Sequence, residues 1–169
     1  MKYHNVTEAE FIERPNRFIA KVKTGGRQET VHVKNTGRCR ELLLPGVRVY
    51  LSRSENPARK TNYDLIAVER PDGMLFNIDS QAPNAVVKEW LTAQGIRLIR
   101  PEYPWGESRI DFYLEHQRAD GMKTVLANRD THPAFADALE EAAAAGVEIL
   151  CLPCHVEPDR LEITGSLKL

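Results

Sequence analysis

Three groups of residues in this chain have types and spacing that carry chemistry. The first is Cys151-Leu152-Pro153-Cys154-His155. C-x-x-C-H is the pattern for covalent haem attachment, with two thiols spaced for two vinyl groups and an axial histidine. The second is Asp111, in the strand-like run 109–115 (RIDFYLE), a carboxylate of the kind that holds Mg2+ for phosphodiester cleavage. The third is a basic stretch. Between residues 14 and 60 the chain carries twelve Lys and Arg against three acids, Glu29, Glu41 and Glu55, a local net of +9. Such a surface is a footprint for a polyanion, DNA or alternatively RNA. The candidate contacts are Arg14, Arg17, Arg38, Arg40, Arg59 and Lys60, with Asn35, Thr36 and Gly37 offering side-chain and backbone donors to phosphate.

Each group also has a plainer reading. The two thiols continue the apolar run GVEILCLPCH, where Cys packs as a small hydrophobe. Haem is disfavoured on that ground and because residues 1–11 show no secretory pattern. Zinc needs four ligands, and beyond the motif only Cys39 and four histidines remain, at no matching spacing. A redox dithiol wants a helix N-terminus to lower a thiol pKa, and here a strand precedes the pair. For Asp111 the alternative is a salt bridge to Arg109 or another arginine. No Glu-x-Lys or Asp-x-Lys follows it on a strand-like run. For the cations the alternative is solvated strand edges, where Lys and Arg discourage edge pairing.

The elements that must position these groups change character halfway. Residues 17–23 (RFIAKVK) place Phe18, Ala20 and Val22 on one face, and Thr24-Gly25-Gly26 turns them into ETVHV at 29–33, a hairpin. Asn35-Thr36-Gly37 then offers capping chemistry before CRELLL, which reads as one short helix ended by Pro45-Gly46. Val47, Val49 and Leu51 alternate as a half-buried strand. YDLIAVE at 63–69 and MLFNID at 74–79 follow as two more. Five short strands and one helix in about eighty residues fit a closed barrel of the OB type. After a linker at 80–84, residues 85–94 (AVVKEWLTAQ) have helical spacing and Gly95 stops them. Strands are expected at 96–100 and 109–115, a turn at 103–106, a helix at 133–146, and strands at 147–152 and 161–164.

The totals conceal this division. The 169 residues carry 23 Lys and Arg against 24 Asp and Glu, for a net charge of −1. Residues 1–80 hold fourteen basic and ten acidic side chains, a net of +4, and residues 81–169 hold nine and fourteen, a net of −5. That excludes a wholly basic coat protein and a self-repelling disordered chain. No apolar run approaches ~18 residues, so no membrane partner is expected. Three cysteines without an export pattern fit a reducing, cytoplasmic setting.

The runs FIERPNRFIAKV, HVKNTGRCRELLLPGVRVYL, NPARKTNYDLIAVE, NIDSQAPNAVVKEW, ESRIDFYLE and THPAFADALEEAAAAGVEILCLPC resemble the sugar fermentation stimulation protein A family across nearly the whole chain. The resemblance implies a mixed α/β protein. Residues 1–80 would form an OB-like nucleic-acid-binding domain, and residues 81–169 a nuclease-like α/β domain of the PD-(D/E)xK kind. It implies DNA binding without sequence preference and a regulatory link to maltose metabolism. Asp111 falls on the position of the nuclease-fold metal aspartate, and Glu89, in VVKEW, near a place where that fold keeps an additional acid. The family follows the IDF strand with a strand carrying Glu-x-Lys. Here Leu114-Glu115-His116 runs straight into Gln117-Arg118-Ala119-Asp120-Gly121, so an internal segment of several dozen residues is absent near 116–117. For the complete site the resemblance implies Mg2+ as a possible cofactor. Nuclease activity through Asp111 needs residues that this sequence lacks.

Overall fold

Along the strand Val6–Glu13 (β1), Ala9 and Phe11 point inward while Glu8 and Glu10 face solvent. The computed structural model describes residues 1–96, 98–105, 108–118, 121–127, 144, 148–149 and 154–164. Four further strands build the barrel: Ile19–Thr24 (β2), Arg27–Val33 (β3), Arg48–Arg53 (β4) and Tyr63–Glu69 (β5), the last two with consecutive buried residues at their centres. β1 pairs antiparallel with β4 through Val6–Glu10 and with β2 through Glu10–Glu13. One strand can serve both neighbours because it bends at a bulge, Phe11 opposing Val22 and Glu13 opposing Lys21. β2 pairs with β3, β4 pairs with β5, and a short parallel pairing of β3 with β5 closes the cylinder. The N-terminal unit is thus a five-stranded closed barrel of the OB type.

A second bulge sets the register of the core. Tyr50 opposes Ala67 but Leu51 opposes Leu65, which leaves Ile66 as the extra residue on β5. The bulge puts Leu65 and Val68, three positions apart, into one cluster with Ala9, Phe11, Ala20, Val22, Val31, Val33, Val49, Leu51 and Ile78. The β2–β3 turn is Gly25-Gly26, with φ of 55° and 78°. Two successive positive φ values are what a two-residue hairpin turn requires, and glycine adopts them without strain.

Several elements differ from the sequence reading. The fifth barrel strand, β1, falls where no strand is expected from the sequence pattern. The strand expected from MLFNID is the shorter Leu75–Asn77 (β6), added to the outer side of β5. CRELLL forms no helix. It makes one turn, Leu42 and Leu43 both donating to the Cys39 carbonyl at 3.1 and 2.9 Å. Gly37 and Pro45 leave too few residues to repay helix nucleation. Phe18 lies outside β2 and is exposed, because the Asn16 side chain accepts the N–H groups of Phe18 and Ile19 and turns the chain just before the strand.

The linker expected at 80–84 already enters the helix Ala82–Ala93 (α1). Asp79 starts it, its carbonyl accepting the Ala82 N–H and its carboxylate the Gln81 N–H, with Pro83 in the first turn. Gly95, at φ 79°, ends it: Gly95 donates to Thr92 and Ile96 to Leu91, and the Leu91 and Ile96 side chains pack together.

The chain divides into two units, Met1–Pro83 with His155–Glu162, and Asn84–Cys154 with Ile163–Leu169. In the second, Leu98–Trp105 (β7), Ser108–Arg118 (β8), Gly121–Ala127 (β9) and Glu148–Ile149 (β10) form a sheet in the order β10-β9-β8-β7. β7 continues through 103–105, where a turn was expected, and it carries Pro101 and Pro104. An edge strand tolerates them. Phe112 and Leu114 of β8 are buried against Leu91 and Ile96. The helix expected at 133–146 lies outside the described residues apart from Ala144. Cys154–Val156 (β11) and Leu161–Ile163 (β12) form a hairpin, and Tyr3 and Leu161 donate backbone bonds to Asp159 and Met1 respectively.

Leu51 is fully buried at the centre of the barrel. Leu51→Ala is expected to cost about 2–5 kcal/mol through lost burial and a residual cavity. Urea denaturation followed by circular dichroism would show a lower midpoint with an unchanged slope; an unchanged midpoint would contradict this packing.

Candidate nucleic-acid interface

A groove of about 740 Å³ opens on the barrel between the β1–β2 loop and the β3–β4 loop. Arg14, Arg17, Thr36, Arg38 and Arg40 line it over a floor that includes Phe11, Leu43 and Pro45. Five of the residues predicted from sequence therefore meet in one concavity. Glu13 is the acid among the lining residues, and the Lys21 ammonium sits 2.6 Å from its carboxylate. Arg17, Arg38 and Arg40 are exposed and make no ion pair among the described residues. The positive charge of the groove is thus not cancelled from within.

Arg14 holds the groove together rather than offering itself to a ligand. Its guanidinium donates to the carbonyls of Asn35 (2.7 Å), Gly37 (2.8 Å), Arg38 (2.9 Å) and Arg17 (2.8 Å). These bonds tie the two loops together while leaving the charge without a carboxylate partner. Asn35 and Gly37 are likewise engaged. The Asn35 amide donates to the Ile78 carbonyl at 3.0 Å, and the Asn35 side-chain oxygen accepts the Gly37 N–H at 2.8 Å. A Cβ on Gly37 would stand 3.0 Å from that oxygen, which explains glycine here. Of the donors predicted from NTG, only Thr36 presents an exposed side chain to the groove.

Arg59 serves a different centre. It donates to both carboxylate oxygens of Asp64, a buried acid at the start of β5. Lys34 approaches Asp64 at 3.1 Å and Asp79 at 3.5 Å, and His32 Nδ1 lies 3.2 Å from Asp64. The Tyr3 hydroxyl donates to Asp79 at 3.3 Å and accepts from Asn77 at 3.1 Å. Burial, ahead of the neighbouring Asp79 charge, pushes the Tyr3 phenol well up. Burial acts to raise the Asp64 pKa too, but the bonds from Arg59 and Lys34 outweigh it and hold the carboxyl at about 2. This centre was not among the candidate sites expected from the sequence, where its one local signal is an acid directly before the apolar run 65–68. Lys60 is exposed on the β4–β5 loop and does not line the groove.

The two predicted acids lie on different elements. Asp111 is half-buried on β8, where Asn84 donates to it at 3.3 Å, and Glu89 is exposed on α1. No three His, Cys, Asp or Glu side chains among the described residues are grouped to hold a metal ion. Of the C-x-x-C-H motif, Cys151 lies outside the described residues, while Cys154 and His155 are exposed on β11, with His155 Nε2 3.7 Å from Glu157. No described helix is long and apolar enough to cross a membrane.

Strand order and groove define an OB-barrel protein with a second, smaller unit of helix and sheet. The model of the SfsA N-terminal OB domain matches residues 12–78, and that of the sugar fermentation stimulation protein RE domain matches residues 117–160. The sugar fermentation stimulation protein homolog of Desulfitobacterium hafniense (strain DSM 10664 / DCB-2) is 39% identical, covering 96% of this chain and 95% of its own. That of Ruminiclostridium cellulolyticum is 37% identical, covering 100% and 99%. The chain belongs to the sugar fermentation stimulation protein family. A solved structure of Pyrococcus furiosus SfsA in complex with Ca2+ shares the fold, with a TM-score of 0.68 over 98% of this chain and 96% of that one, at 24% identity. The alignment to the Desulfitobacterium relative runs over 217 positions, more than the 169 residues here, so dozens of its residues have no counterpart in this chain. The RE-domain match begins at Gln117, inside β8, which runs unbroken through that junction.

Two of these contacts are open to direct test. Asp64 has a folded pKa near 2, below its ordinary value of 3.8, so its stabilisation is complete above pH 4 and is lost as pH falls through 2. Asp64→Asn should cost about 2 kcal/mol at neutral pH, and the gap in melting temperature from the parent should close between pH 4 and 2. A gap constant across that range would refute the assignment. Arg14→Lys keeps the charge but cannot reach four carbonyls, and is expected to cost about 1–3 kcal/mol. Hydrogen exchange should accelerate at residues 35–38, and unaltered exchange there would contradict the clamp.

Proposed function

We propose that this chain binds DNA with little sequence specificity, through the arginine groove of its barrel. The observation that carries the reading is the state of the charges. Arg17, Arg38 and Arg40 line a concave surface with no carboxylate on them among the described residues, and the lining acid, Glu13, is taken by Lys21. Exposed guanidinium groups on loops meet phosphates bidentately but carry little information about base identity. The regulatory link to sugar metabolism rests on the name of the relatives, sugar fermentation stimulation protein homologs. A nucleic-acid-binding protein exerts such an influence by occupying DNA.

Cleavage by a divalent-metal site is the second reading, favoured by the RE-domain match and by the complex of Pyrococcus SfsA with Ca2+. Among the described residues no donor set for it is grouped. Asp111 has no Glu-x-Lys strand beside it, and the residues that would supply one are not in this sequence.

Fluorescence anisotropy with labelled DNA across a salt series tests the binding. Affinity should fall linearly in log–log form, with a slope set by the number of phosphates neutralised. Arg38→Ala and Arg40→Ala should each reduce the magnitude of that slope by about one, equally for unrelated sequences. Arg59→Ala should lower the melting temperature and leave the slope alone. Binding indifferent to salt, or slopes unmoved by the groove variants, would overturn the proposal.

A further inference from the structure

Beside this groove the chain exposes an aromatic ring that it had the means to bury. Phe18 directly precedes β2, whose Ala20 and Val22 are fully buried, yet Phe18 is 53% exposed. Asn16 turns it outward by accepting the N–H groups of Phe18 and Ile19. The ring is held by the Arg17 guanidinium, 4.8 Å from its centroid, and Arg17 itself lines the groove. On the opposite loop Leu44, 50% exposed, stands between the lining residues Leu43 and Pro45. On each of the two loops, a residue next in sequence to a lining residue is thus exposed and apolar.

Phosphate binding alone explains the arginines but not these two residues. Duplex DNA turns its charged backbone outward and keeps its base faces stacked, so an open aromatic ring gains little from it. An unpaired strand offers both phosphates and free base faces, and successive cations and aromatic rings are the means by which single strands are held. The volume, about 740 Å³, is within the range of pockets that take a small organic group such as a nucleotide.

Resting on the nucleic-acid reading above, we infer that the groove takes unpaired nucleotides, a base stacking on Phe18 at the rim while the adjoining phosphates sit on Arg38 and Arg40, so that single-stranded nucleic acid is preferred to duplex. Arg17 then has a double part, fixing the ring from one side and adding charge to the groove.

The test is anisotropy at matched salt with one labelled mixed-sequence strand as single-stranded DNA, as single-stranded RNA and as blunt duplex DNA. The single strands should bind more tightly than the duplex, and the tighter of the two identifies the preferred sugar. Phe18→Ala should weaken single-strand binding about tenfold, while duplex affinity, the salt slope and the melting temperature stay unchanged. Phe18→Trp should restore it. A duplex bound as tightly as the single strand, or a Phe18→Ala loss equal for both, would overturn the inference while leaving salt-dependent DNA binding in place. Absence of salt-dependent binding to all three probes would remove the underlying reading as well.

Discussion

A carboxylate buried at the seam of the barrel is the constraint from which much else follows. The cylinder closes where β3 meets β5, and the two paired positions there are His32 with Asp64 and Val33 with Leu65. Closure therefore takes Asp64 out of water. An unpaired carboxylate in that place would cost several kcal/mol or give up its charge. The chain instead brings a bidentate arginine, a lysine and a histidine to it. Lys34 also reaches Asp79, which accepts from Tyr3 and from the backbone leading into α1. One satisfied charge thus connects barrel closure, the N-terminal segment and the start of the helix. Removing either side leaves a buried ion without a partner, which is far costlier than never having placed the pair there.

The groove hangs from this seam. Lys34 is fixed at Asp64 and Asp79, its carbonyl accepts the Ser80 hydroxyl, and the next residue, Asn35, is tied to Ile78. Arg14 then captures the carbonyls of Asn35, Gly37 and Arg38. The β3–β4 loop has neither helix nor strand of its own, yet its backbone is held at four points, the carbonyls of Lys34, Asn35, Gly37 and Arg38, before it presents Arg38 and Arg40. Anchoring a loop in this way lowers the ordering cost that its side chains would otherwise incur on binding.

Local patterns in the sequence carry the parts that local chemistry decides. Gly25-Gly26 between two alternating runs reads as a hairpin, the alternation of Val47, Val49 and Leu51 reads as strand, and so does the short apolar run in YDLIAVE. The hidden parts depend on long-range pairing. β1 is hard to read because three of its eight residues are glutamates and the bulge after Phe11 breaks its period. The three leucines of CRELLL imitate a helix, although the segment is too short to nucleate one. Phe18 fits the face of Ala20 and Val22 by spacing, and the bonds to the Asn16 side chain remove it. The basic cluster is legible as a cluster, but not the division of labour within it, because neither the carbonyls that claim Arg14 nor the acid that claims Arg59 lies next to it in sequence.

That division changes what the net charge means. Of the twelve cations between residues 14 and 60, Lys21, Lys34, Arg48 and Arg59 are spent in ion pairs, and Arg14 is spent on carbonyls. Seven remain without an ion pair among the described residues: Arg17, Lys23, Arg27, Arg38, Arg40, Arg53 and Lys60. Three of these line the groove. A bound polyanion releases counterions in proportion to the phosphates that the protein neutralises, not to the cations in the composition. The groove's electrostatic strength is therefore set by a few side chains on two clamped loops.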